Sequence, residues 1–249
     1  MAKDQSDEVF DYFVCRSRNL TPASVQDGAK VLYAPCSRDP GVTKLCSSIL
    51  TDRELWRADR FASEAEKQQY IQRRAFRRFC GAAMTDISLP LSQIMFEETA
   101  NGRPYLADLP DIRFSFSSCK PGFLGARSST HAIGVDLEDK SGNLEITALA
   151  QYFFSKDEAS VIERLCEPDR LRFFLKFWCL KEAALKSIGQ GLPFGLDVFR
   201  FEVEPVLRIM QTPAEYGGPE NFSAHIVETS NVCAALVLRS VNQAGVEIG

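Results

Sequence analysis

At 249 residues, with 45% hydrophobic and 25% charged residues, the chain has the make-up of a soluble globular protein of one large domain or two halves. A net charge of −4 gives no global reason to expect a nucleic-acid partner. No apolar run approaches bilayer length, and the opening Met-Ala-Lys-Asp-Gln-Ser-Asp-Glu is too polar for a signal peptide, so neither a membrane protein nor an exported one is expected.

In chain order, residues 1–27 read as an N-terminal extension with an apolar-leaning piece at 9–14. The eight cysteines contain no C-x-x-C pair and read as reduced thiols of a cytoplasmic protein. Residues 30–34 suit a strand ended by Pro35. Thr51-Asp-Arg-Glu54 has the capping-box pattern and opens a helix towards Phe61, and a second helix is expected over 63–85 behind Ser63. That helix carries Arg73, Arg74, Arg77 and Arg78 in two i,i+4 rows. Such a run is either a solvated basic face or an anion-binding one, since guanidinium forks grip phosphate oxygens. Glu64 and Glu66 lie too far upstream to neutralise it along the helix. Asn101-Gly102-Arg103-Pro104 is a turn. Residues 112–119 alternate as a strand, run into a polar loop at 120–122, and a weaker strand at 123–126 is expected to pair back.

The second stretch is more acidic at its heart. In His131-Ala-Ile-Gly-Val-Asp-Leu-Glu138 the period is two, so one strand face is aliphatic and the other carries Asp136 and Glu138 at i and i+2. Ser155-Lys-Asp-Glu158 is a second capping box for a helix to about residue 165. After the break at Glu167-Pro168-Asp169, residues 171–186 form a long helix without Gly or Pro, with Glu182 one turn after Trp178 and Lys186 one turn further. Alone, Glu182 and Lys186 are an ordinary i,i+4 pair. Beside Asp136 and Glu138, Glu182 completes a set of three hard oxygen ligands, which suits Mg²⁺ with substrate phosphates. Gly189-Gln190-Gly191 stops the helix, and 197–209 and 222–239 read as antiparallel strands around a Pro/Gly-rich loop at 213–219. Strands and helices without strict alternation predict an α+β fold in two halves, 28–129 and 130–241, with a ligand cleft between them.

Gly102-Arg-Pro104, Phe114-Ser-Phe-Ser-Ser-Cys119, Gly134-Val-Asp-Leu-Glu138, Phe153-Phe-Ser-Lys156 and Trp178-Cys-Leu-Lys-Glu-Ala183 with Lys186 together resemble the Sfp-type 4′-phosphopantetheinyl transferases. The resemblance covers about 51–205. It implies a pseudo-twofold pair of α+β halves with coenzyme A in the cleft, and transfer of its phosphopantetheine arm to a serine of an apo acyl or peptidyl carrier protein, releasing 3′,5′-ADP. Asp136, Glu138 and Glu182 would hold Mg²⁺. Glu182, or a water it orients, would be the base, and Lys186 would steady the pyrophosphate and the leaving group. Arg77 stands at the family's recurring arginine, Arg73 and Arg74 are assigned to the coenzyme by proximity, and Arg103 occupies the usual lysine of Gly-Lys-Pro. The family's Asn-x-Ser-His-Ser loop is here Ser115-Phe116-Ser117-Ser118-Cys119. Ser117 and Ser118 are thus coenzyme-contact candidates, Ser118 at the histidine's position, with Arg127 offered as the cation that replaces it. The family implies a monomer whose carrier docks at 139–170. The competing readings are a non-catalytic relative that binds coenzyme A or a carrier protein and regulates carrier activation, and a metal-dependent phosphohydrolase.

Overall fold

A computed structural model describes residues 4–25, 28–142 and 145–241. Both capping boxes form. Thr51 accepts the Glu54 N–H while Glu54 accepts the Thr51 N–H, and Ser155 and Glu158 do the same. Each satisfies helix-end donors that no carbonyl reaches. The boxes open α3 (Asp52–Ala58) and α6 (Lys156–Arg164) in corresponding places of the two halves.

The first half holds α1 (Gln5–Arg16), β1 (Arg18–Asn19), β2 (Ala29–Pro35), α2 (Pro40–Ser47), α3, α4 (Glu64–Met84), β3 (Glu97–Glu98), β4 (Pro104–Tyr105), β5 (Arg113–Cys119) and β6 (Gly122–Ser128). Its main sheet is antiparallel with order β1-β2-β6-β5. The second half holds β7 (His131–Asp139), α5 (Ile146–Phe153), α6, α7 (Asp169–Ser187), β8 (Arg200–Glu202), β9 (Arg208–Gln211), β10 (Phe222–Glu228) and β11 (Val232–Ser240). Its sheet is antiparallel with order β10-β11-β7.

Period-two strands bury both faces by stacking sheet on sheet under helices. Val31, Leu124 and Ala126 of the first sheet meet Ile133, Val135, Leu137, Ala234 and Leu236 of the second. The outer face of the first sheet packs under α1, α2 and α4 through Val9, Phe13, Phe76, Phe79, Phe114 and Phe123. That of the second packs under α5, α6 and α7 through Phe154, Phe174, Phe177, Leu180, Cys233 and Ala235. The layers run helix, sheet, sheet, helix, with two halves alike in plan. This is the expected α+β architecture.

Several elements differ from their sequence reading. The strand expected at 197–209 is two short ones, β8 and β9, paired with each other around Pro205, which lacks a ladder N–H. The run 222–239 is folded in two at 229–231, where Thr229 Oγ accepts the N–H groups of Asn231 and Val232. The weak strand at 123–126 extends over Gly122–Ser128 and is central, bonded to both β2 and β5. The helices α2 and α5 carried too few periodic positions to be read. Within residues 1–27, α1 buries Val9 and Phe13 against α4.

The two arginine rows of α4 have different fates. Arg74 and Arg78 turn to Glu54 on α3, with Arg74 Nε to Oε1 at 2.6 Å and Arg78 Nη2 to Oε2 at 2.7 Å. A carboxylate 20 residues or more away thus neutralises the row that Glu64 and Glu66 cannot. Burial pushes the Glu54 carboxyl up, but the bonds from Arg78, the Thr51 N–H and Arg74 outweigh it and bring it from 4.5 to about 2. A folded pKa below the unfolded one gives stability that is full above about 4.5 and lost as pH falls towards 2. At about 1.4 kcal/mol per unit this amounts to about 3 kcal/mol. Glu54→Gln is therefore expected to cost about 3 kcal/mol at neutral pH, because it leaves a buried guanidinium uncompensated. Urea melts from pH 7 to pH 3 should show the wild-type advantage shrinking, and a constant difference would remove the ion pair from the account.

Candidate active site

Gly134 is where β7 crosses α7. A Cβ there would stand 1.9 Å from the Ala183 carbonyl oxygen and 2.6 Å from the Ser187 nitrogen, so only glycine lets the strand lie on the helix backbone. Two and four residues on, Asp136 and Glu138 share that strand face and come to the flank of α7 that carries Trp178, Glu182 and Lys186.

Asp136 is 4% exposed. Its Oδ1 accepts from Lys186 Nζ at 2.7 Å and from Ser117 Oγ at 2.9 Å, while its Oδ2 is buried with no hydrogen-bond partner among the described residues. Lys186 Nζ also donates to the Val135 carbonyl at 3.1 Å. Burial would lower the Lys186 pKa, but the charge and hydrogen bond of Asp136 outweigh it and raise it, so the ammonium is held charged. Burial pushes Glu138 up to about 7, helped by the charges of Asp136 and Glu182 against Lys186 and the Trp178 indole. Glu182 is also raised: burial pushes it up, Lys186 opposes that next, and the charge of Asp136 adds to the rise. Burial first, and the neighbouring charges after it, thus press Glu138 and Glu182 towards their neutral forms, and a further cation would reverse that. Among the described residues, no three Asp, Glu, His or Cys side chains form a ready group for a metal ion. Mg²⁺ needs only one or two carboxylates when substrate phosphates and waters supply the rest, so Asp136 Oδ2 and its neighbours fit it on those terms.

The second arginine row lies over aromatic rings: Arg73 over Tyr70 at 5.6 Å and Arg77 over Phe116 at 5.2 Å. Burial first, then the charges of Arg74 and Arg73, bring Arg77 down to about 10, and an anion bound beside it would favour the charged form again. Glu98 meets Arg77 at 3.2 Å but is itself exposed. Arg103 reaches across to the end of α7, its Nη1 3.8 Å from where a Gly189 Cβ would be. Arg74, bonded to Glu54, is turned away from this set.

Ser117 and Ser118 point to opposite faces of β5, as neighbours in a strand must. Ser118 shares the face of Phe114 and Phe116, towards α4, so the cation on the missing histidine's side is Arg77. Arg127 does not fill that role. It donates to the Met84 carbonyl at 2.8 Å and the Gly28 carbonyl at 3.2 Å, and it pairs in register with Phe114, four residues along the strand from Ser118.

Sequence reasoning missed two features. Lys181, 0% exposed, pairs with Glu158 at 2.8 Å and donates to the carbonyls of Leu196, at 3.0 Å, and Phe199. Glu158 also accepts the Phe201 N–H at 3.0 Å, so one capping residue ties α6, α7 and β8 together and fixes the rotation of the helix that carries Glu182. The available signal was a lysine inside the apolar arc of 171–186. The other is a pocket of about 420 Å³ lined by Arg53, Trp56, Arg57, Arg60 and Phe61, which continues towards Arg73 because Arg57 also lies over Tyr70, at 5.9 Å. A larger cleft, of about 730 Å³, opens between the halves past the end of β7, with Arg38, Gln69, Lys120, Asp139 and Lys140 on its walls. That volume suits a drug-sized ligand.

Residues 132–237 match the model of the 4′-phosphopantetheinyl transferase superfamily. Over 115 residues the chain is 34% identical to the 4′-phosphopantetheinyl transferase psf-1 of Bacillus pumilus, covering 45% of this chain and 47% of that protein. It is 36% identical over 112 residues to the 4′-phosphopantetheinyl transferase Sfp of Bacillus subtilis (strain 168), covering 45% and 48%. To HetI of Nostoc sp. it is 27% identical over 177 residues, covering 70% and 73%. A crystal structure of a holo-(acyl-carrier-protein) synthase from Bacillus anthracis in complex with CoA is 15% identical, with a TM-score of 0.36 over 45% of this chain and 99% of that one. The chain thus spans about half the length of the Bacillus relatives it matches, and the resemblance read from its motifs holds over that span.

Proposed function

We propose that the chain is a 4′-phosphopantetheinyl transferase, moving the phosphopantetheine arm of coenzyme A to a serine of an apo acyl or peptidyl carrier protein. The observation that carries this reading is Asp136, whose buried Oδ2 is open while Oδ1 is held from both halves, beside Lys186 and the raised carboxyls of Glu138 and Glu182. Asp136, with Glu138 and Glu182, would hold Mg²⁺, which supplies neutralisation of the pyrophosphate charge.

Glu182 takes the proton of the carrier serine as its oxygen bonds to the phosphorus next to the pantetheine. The phosphorus–oxygen bond to 3′,5′-ADP breaks, and Lys186 stabilises the charge left on that oxygen. Arg73, Arg77 and Arg103 hold the coenzyme phosphates, positioning being most of what phosphoryl transfer requires. The Arg53–Arg57 pocket extends that anion-binding surface through Tyr70. Arg74 is left out, since Glu54 occupies it. Carrier docking falls at 139–170, where Tyr152 is 81% and Val161 39% exposed. The halves divide near residue 129, and the protein works as a cytoplasmic monomer, both halves of the site coming from one chain.

Mass spectrometry of an apo carrier protein incubated with this protein, coenzyme A and Mg²⁺ tests the reading. A phosphopantetheinyl adduct supports it. An unmodified carrier with intact coenzyme would favour a binding regulator, and coenzyme breakdown without adduct a phosphohydrolase.

A further inference from the structure

The two sheets meet edge to edge as well as face to face. Among the described residues β5 is bonded only to β6 in the first sheet and β7 only to β11 in the second, so no ladder joins β5 to β7. Two serines of β5 bridge the seam. Ser115 Oγ, in a residue 4% exposed, accepts the Val135 N–H at 3.0 Å and satisfies an edge donor that would otherwise be buried alone. Ser117 Oγ donates to Asp136 Oδ1 at 2.9 Å.

We propose that Ser117 is a positioning residue: its hydroxyl, donated across the seam to Asp136 Oδ1, holds the carboxylate so that Oδ2 is the oxygen presented to a divalent cation. A serine hydroxyl has one proton to give. Ionised phosphate oxygens only accept, so a Ser117 that donates to Asp136 has no proton left for the coenzyme. Its effect on the substrate passes through the carboxylate. Ser118 on the opposite face keeps its proton for a ligand on the Arg77 side. Oδ1 then receives one bond from each half, Ser117 from the first and Lys186 from the second. The pair pins the carboxylate plane, and Oδ2 stays buried with no hydrogen-bond partner among the described residues. Removing a hydrogen-bonding partner behind a metal ligand typically costs about 10–100-fold in metal affinity. The ligand's orientation is lost even though the ligand remains.

The inference rests on the transferase reading and its cation, so its test reads cation binding directly. Mn²⁺ would be titrated into wild type, Ser117→Ala and Ser117→Thr in the presence of coenzyme A, with free Mn²⁺ followed by electron paramagnetic resonance. Coenzyme A affinity would be measured separately by calorimetry with EDTA present. Ser117→Ala is expected to weaken Mn²⁺ at least about tenfold. Ser117→Thr, which keeps the hydroxyl, should stay within about threefold of wild type. Cation-free coenzyme affinity should be the same in all three proteins. Equal Mn²⁺ binding by wild type and Ser117→Ala would overturn the positioning role. So would a loss of coenzyme affinity in EDTA, which would return Ser117 to direct substrate contact. A wild type that binds no Mn²⁺ would sink the cation reading itself, and the inference with it. Thermal melts of the variants separate unfolding from any of these outcomes, and a Ser117→Thr that fails to restore Mn²⁺ binding while folded counts against the proposal.

Discussion

Glu182→Gln is expected to lower holo-carrier formation by roughly 10²–10⁴-fold, the range for a lost general base, while coenzyme A affinity changes far less. Glutamine keeps the shape and one oxygen but cannot take the serine proton. Burial and Asp136 raise the Glu182 carboxyl and so make it a better proton acceptor, while Lys186 holds it from rising further. A single-turnover rate beside a calorimetric coenzyme titration separates the two effects. Small, equal losses in both would move the base to another group. Asp136 is a less clean probe than Glu182. Removing it relieves repulsion among the carboxylates but also strips the half-buried Lys186 ammonium of its nearest anion, so stability must be measured beside activity.

Gly134→Ala should be the most damaging substitution of a residue with no functional atoms. The new methyl would sit 1.9 Å from the Ala183 carbonyl oxygen, which is helix backbone and has no rotamer by which to withdraw. Either β7 or α7 must shift, at a cost of about 3 kcal/mol or more, the upper end for overpacked cores. For a chain of this size that is a fall of about 10 °C in Tm. The same shift parts Asp136 from Lys186, now 2.7 Å apart, so transfer should fall even at temperatures where the variant is folded. A variant melting within about 2 °C of wild type would show that the crossing has slack the geometry does not reveal.

What the sequence by itself determined is local in origin. Capping boxes at Thr51 and Ser155, the period of two at 133–138 and the apolar arc of 171–186 all depend on residues within four of one another, and each formed as read. The acidic positions and Lys186 were legible for the same reason, since alternation puts Asp136 and Glu138 on one face and helical spacing aligns Glu182 with Lys186. Partnership was not legible. Nothing near Arg74 and Arg78 announces Glu54, and nothing near Lys181 announces that Glu158, already busy as a cap, holds it. The strand at 197–209 failed where alternation was present but Pro205 interrupted the ladder, and Arg127 failed because strand register placed it at the far end of β6. Adjacent serines 117 and 118 look interchangeable in one dimension. The pleat sends one to Asp136 and the other towards Arg77, and only the packing of two sheets edge to edge decides which hydroxyl meets a carboxylate. Such choices are made by contacts between segments far apart in the chain, where burial, charge and register act together and no local pattern records the result.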